Sequence, residues 1–148
     1  PSTALESEID GVTINSKIKA NNPKKIYIML GTNSVGYSDG NYLANCMGEL
    51  VQHISQITKA KVYVLSIPPI TYYAEADCDN ALTTSAINEY NTALKSVIKG
   101  TKAKFLDLHS VLTAPDGYYY EEYHEMDGIH FMGKTYEVML SYLQKHSS

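Results

Sequence analysis

Asp127-Gly128-Ile129-His130 stands near the C-terminal end of the chain, and Gly31-Thr32-Asn33 follows an early apolar run. A carboxylate three residues before a histidine can bond one ring nitrogen, fix the tautomer and stabilise the imidazolium formed when the ring takes a proton. An asparagine amide at a strand end can donate a hydrogen bond to a developing oxyanion. Together these are a general base, its orienting acid and an oxyanion donor, which is two thirds of the apparatus that cleaves an ester with a serine. The nucleophile is not obvious. Ser34 and Ser66 are the serines placed at strand ends, and neither has the strained strand–turn–helix setting that exposes a nucleophilic hydroxyl.

Each residue also has a plainer reading. Asp127 can cap the helix that follows, with His130 an ordinary polar neighbour. Asn33 can close an Asx turn. Placing Asn33, Asp127 and His130 on one rim favours the chemical reading of all three. His124, Glu125, Asp127 and His130 form a rival set for zinc, which takes three protein ligands at a catalytic site. That set lacks repeated helical histidine spacing and would have to recruit His109 from another strand end, so no metal is expected. His53 reads as a surface residue. Tyr72, Tyr73, Tyr118, Tyr119, Tyr120 and Tyr123 fall in two rim loops, where their rings suit sugar faces; packing of those loops on the sheet is equally open.

The elements that must position these groups are readable from apolar patterning. Ile26–Leu30, Val62–Ile67 and Lys104–Leu108 are short, nearly continuous apolar runs, the mark of strands buried on both faces of a parallel sheet. Leu43, Met47, Leu50, Val51, Ile54 and Ile57 make a helical stripe from Tyr42 to Thr58. Ile87, Tyr90, Asn91, Leu94, Val97 and Ile98 make a second, which Gly100 can stop. A last helix is expected from Gly133 or Lys134 to Lys145, with Tyr136, Met139, Leu140 and Leu143 on its buried side and Lys145 and His146 at its negative end. Strands alternating with helices predict right-handed crossovers and a three-layer α/β/α sandwich, whose ligands bind beyond the carboxyl ends of the strands. Gly31-Thr32-Asn33 and Pro68-Pro69, with the polar loop Thr71 to Thr84 behind it, lie at such ends. The stretch from Pro115 delivers Asp127 and His130 to the same rim. Three strands are few for such a sheet, and the exposed edge of the first would be an aggregation hazard, so something is expected to pair with it.

The 148 residues, 44% hydrophobic and 19% charged, are enough for one continuous core, and a single domain over 1–148 is expected. A net charge of −4, scattered along the chain, offers no stripe for a phosphate backbone, so nucleic acid is not an expected partner. No apolar run approaches the ~20 residues that a membrane-spanning helix needs. Cys46 and Cys78 share no metal-like spacing and read as a disulfide or as two thiols. Thirteen tyrosines, no tryptophan and many Asn, Ser and Thr lean towards a secreted or cell-surface protein that acts on carbohydrate. Pro1 stands where an initiator methionine would be and no signal-peptide pattern follows, so the expectation is a cut, with targeting information upstream.

Ile28-Met29-Leu30-Gly31-Thr32-Asn33 and Asp127-Gly128-Ile129-His130 resemble blocks III and V of the SGNH (GDSL) hydrolases, flavodoxin-like serine esterases and lipases. The likeness runs from about Ala20 to the C-terminus. It takes in the Pro68-Pro69 exit, the Tyr90-Asn91 helix and the strand ending at Asp107-Leu108. It implies that His130 is the general base, Asp127 its orienting acid and Asn33 an oxyanion donor, with no cofactor. The substrate it implies is a small ester or acylated carbohydrate. Ser34 replaces the acid that often follows the block III asparagine, and Phe131 replaces a common proline. The chain has no Gly-Asp-Ser. The resemblance therefore implies that the first strand or strands, with the serine, lie on a missing N-terminal segment, Pro1 to Ile18 being the helical region after block II. A non-enzymatic carbohydrate-binding or interaction module on the same fold is the alternative.

Overall fold

The computed structural model describes residues 8–9, 12–13, 18, 20–32, 34–76, 81–120 and 133–147. Where the resemblance implied helix before Ile18, the described residues are extended: β1 (Glu8–Ile9) pairs antiparallel with β2 (Val12–Thr13). A helical turn then ends as the Asn22 amide donates to the Ile18 carbonyl at 3.1 Å. Asn22 takes a left-handed φ of 45°, which asparagine tolerates, and Pro23 follows it.

The sheet holds β3 (Lys25–Ile28), β4 (Lys61–Leu65) and β5 (Lys104–Leu106), all parallel, in spatial order β3-β4-β5. Among the described residues the helices that follow β3 are α1 (Gly40–Ile57), α2 (Tyr72–Ala76), α3 (Thr84–Lys99), α4 (Leu108–Leu112) and α5 (Gly133–His146). Each strand is shorter at its carboxyl end than its apolar run suggested. The third shows why: Asp107 accepts the Ser110 amide at 3.2 Å and hydroxyl at 2.7 Å, which starts α4 where continued strand was expected. The polar loop from Thr71 likewise contains α2, begun by the Thr71 hydroxyl accepting the Ala74 amide at 3.2 Å.

Helices cover both faces of the sheet, giving three layers. Val62 and Val64 of β4 join Ile28 in the core shared with α1 and α3, whereas Tyr63 and Leu65 join Leu106, Leu108, Leu112 and α5 on the other face. Alternate residues of one strand thus feed two cores, so β4 is apolar without alternation. Gly48 lets α1 approach α3, because a Cβ there would lie 2.7 Å from a Val97 methyl. On α5, Met139 and Leu143 pack inward as expected, together with Val138 and Tyr142. Leu140 does not; it is 60% exposed on the solvent side.

All three long helices run against the strands. Their C-termini meet the amino ends of the sheet, where Lys24, Lys25, Lys59, Lys61, Lys102 and Lys104 supply half of the chain's 12 Lys and Arg. Lys25 donates to the Ser147 carbonyl at 2.6 Å and Lys104 to the His146 carbonyl at 3.4 Å, beside Lys145 and His146 in the last turn of α5. These cations oppose the negative helix ends. The helix N-termini gather at the carboxyl rim instead.

Candidate active site

Gly31 leaves β3 at φ +124°, a conformation that side-chain-bearing residues rarely adopt, and a Cβ there would meet the Tyr90 ring at 3.0 Å. The Tyr90 hydroxyl donates to the Leu30 carbonyl at 2.9 Å. Burial, with Cys46 nearby, pushes that hydroxyl well above the usual tyrosine range and keeps it a donor. The Ser34 and Val35 amides both donate to the Gly31 carbonyl at 2.9 Å. A cavity of about 250 Å³, lined in part by Leu30, Leu43, Cys46, Met47 and Tyr90, opens beside Gly31 and Ser34.

The next residue on α3 holds the exit of β4. Asn91 accepts the Ile67 amide at 2.9 Å and donates to the Ile67 carbonyl at 3.0 Å. His109 of α4 places Nδ1 3.0 Å from the same carbonyl. Ser66 lies between them, 1% exposed, with its hydroxyl accepting the His109 amide at 2.8 Å and reaching Asp107 at 3.4 Å. A serine so enclosed cannot meet a substrate carbonyl. Its hydroxyl instead joins the exits of β4 and β5.

Asn33, Asp127 and His130 lie outside the described residues, as do His124, Glu125, Tyr123 and Cys78. The chain reaches that interval from well-fixed ground on both sides. Before it, the Tyr119 amide donates to the Ile70 carbonyl at 2.8 Å, and the buried Tyr119 hydroxyl meets Thr135. After it, α5 returns across the sheet, and Tyr142 touches the Asp107 backbone, with burial raising its hydroxyl pKa. Cys46 is a free, half-buried thiol on α1, and His53 is exposed. Among the described residues no group of three His, Cys, Asp or Glu could hold a metal ion.

The rim tyrosines divide. Tyr119 is core, 3% exposed, and this supports packing for that residue. Tyr72 and Tyr73 are 57% and 70% exposed, and Tyr72 meets Tyr73 and Tyr118 edge to face at 5.7 and 5.5 Å. The pins from Tyr90 and Asn91 were invisible as such in the sequence, although a polar Asn91 inside an apolar stripe was their signal.

A larger cavity, about 520 Å³, opens at the opposite end of the sheet among Lys59, Lys61, Lys102 and Lys104. The carboxyl rim outweighs it as a reaction site, because the helix N-termini and strand exits meet there.

The sequence signature of the GDSL-like lipase/acylhydrolase family matches residues 5–138. The chain superposes on a structure named for a platelet activating factor from Streptococcus pneumonia with a TM-score of 0.74 and 21% identity, over 83% of this chain and 59% of that one. The lipase/acylhydrolase from Enterococcus faecalis gives 0.71 at 16%, over 89% and 65%. The acetylxylan esterase from Geobacillus stearothermophilus gives 0.65 at 15%, over 91% and 64%. These likenesses establish the three-layer fold, and the chain spans less than two thirds of each of these structures. No curated protein matches the sequence.

Proposed function

The chain belongs to the GDSL-like lipase/acylhydrolase family, and from that membership we propose that it supplies the base, acid and oxyanion donor of an acyl-ester hydrolase. The observation that carries the reading is that one family signature, over residues 5–138, takes in both Gly31-Thr32-Asn33 and Asp127-Gly128-Ile129-His130.

In the proposed reaction a serine hydroxyl attacks the ester carbonyl while His130 takes its proton. Asp127 holds the imidazole in the accepting tautomer and stabilises its charge. Asn33 donates to the tetrahedral oxyanion, which collapses to an acyl-serine as the imidazolium returns the proton to the departing alcohol. Water, deprotonated by His130, then releases the acid. The chain contains no Gly-Asp-Ser, and the outer edge of β3 has no strand beside it among the described residues. Both support a serine carried on a segment outside these 148 residues.

Acetyl or a similarly short acyl group suits the small apolar cavity beside Gly31. A sugar as the alcohol is supported by the exposed rim tyrosines, and the fold is shared with an acetylxylan esterase. The missing Gly-Asp-Ser is also what favours a carbohydrate-binding module without catalysis; sequence upstream of Pro1 lacking that motif would decide for the module.

Turnover of p-nitrophenyl acetate by the protein carrying its serine segment tests the proposal. Asn33→Ala should lower kcat roughly a hundredfold or more, the usual cost of one lost oxyanion donor. An unchanged kcat would remove Asn33 from the site.

A further inference from the structure

We propose that Tyr72, Tyr73 and Tyr118 form a stacking platform for a neutral pyranose ring, the sugar part of the ester; this rests on the carbohydrate-ester reading above. Scattered exposed aromatics are ordinary on protein surfaces, but contiguous ones mark contact sites. The Tyr72 ring touches those of Tyr73 and Tyr118 at the carboxyl rim, and the next residue, Tyr119, is 3% exposed and carries the loop's packing. The fold therefore does not need Tyr72 and Tyr73 to be aromatic.

The platform is held in advance. Glu75 accepts the Thr84 amide at 2.8 Å and hydroxyl at 3.2 Å, and the Tyr118 hydroxyl bonds to the same carboxylate. The Tyr118 amide donates to Asp116 at 2.9 Å, and Thr71 caps α2 beneath Tyr72. A surface ordered before binding loses little entropy when a ligand arrives.

Charge selects the ligand. Neither 68–76 nor 113–120 contains Lys, Arg or His, so the described residues of the platform offer an anionic headgroup no cation. A quaternary ammonium would need ring faces turned to a common centre. Here the rings pack edge to face. A pyranose asks for what remains: an exposed ring face for its C–H side and the exposed Asp116 carboxylate as an acceptor for hydroxyls.

Xylotetraose titrated into the 148-residue chain, followed by saturation-transfer NMR, tests this without any nucleophile. Binding of roughly millimolar strength is expected, weakened about tenfold by Tyr72→Ala or Tyr73→Ala and within about twofold of wild type in Tyr73→Phe. Both side chains are largely exposed, so folding should survive, as circular dichroism would verify. No binding, equal binding by the alanine variants, or displacement of the sugar by tetramethylammonium would overturn the platform. Sugar binding in a protein that never cleaves esters would defeat the hydrolase reading alone, and ester cleavage without sugar binding would defeat the platform alone.

Discussion

Tyr90 and Asn91 are neighbours on α3, and between them they hold two strand exits: the Leu30 carbonyl before Gly31, and both backbone groups of Ile67. A carboxamide that replaces a strand partner at Ile67 fixes where β4 stops, because a buried donor deprived of its acceptor costs about 1–3 kcal/mol. Asn91→Ala should therefore lower stability by about 2 kcal/mol in urea unfolding, more than a half-buried surface substitution would. A change indistinguishable from wild type would show that Ile67 finds its partners elsewhere. At this scale the sequence was legible where residue type and function coincide, as for Gly31, whose positive φ and contact with Tyr90 leave no room for a side chain. The pins themselves were hidden, since spacing reveals that Asn91 faces inward but not which backbone it meets.

The long helices were legible from their period and the sheet strands from their continuous apolar runs, and the short helices were not. α2 and α4 are five residues each and too short to carry a stripe; only their caps, Thr71 and Asp107, announce them. α2 also brings Glu75 to the start of α3. Burial alone would raise the Glu75 pKa, but the Thr84 amide, the Tyr118 hydroxyl and the Thr84 hydroxyl outweigh it and hold the carboxyl below the usual glutamate range. A group depressed in the folded state stabilises the fold above its unfolded pKa, and loses that effect as pH falls through its folded value. Glu75→Gln should thus be less stable than wild type at neutral pH, with the difference narrowing as pH falls below the usual glutamate range. Urea midpoints for the two proteins across that range check it. A difference that persists in acid would assign the loss to the amide's geometry and not to the charge.

Across the whole molecule, one polarity organises fold and proposed chemistry together. Helices antiparallel to the strands put their C-termini among the lysines at one end and their N-termini, with Asp39, Thr83 and Asp107 as caps, at the other. The positive helix ends and the strand exits therefore share the rim where Gly31 leaves β3, a setting suited to developing negative charge. The parallel sheet and its two covered faces were legible from three apolar runs and three stripes. The β1–β2 pair was not, because two-residue strands have no period to read. The proposed acid and base can be tested as a unit, since residues serving one proton transfer lose their effects together. The direct measurement is kcat for p-nitrophenyl acetate in the protein carrying its serine segment, with Asp127→Ala, His130→Ala and both changes combined. The pairing of Asp127 with His130 predicts that each single change removes most of the activity and that the double variant is no slower than His130→Ala. Losses that multiply, or a His130→Ala enzyme as fast as wild type, would contradict it.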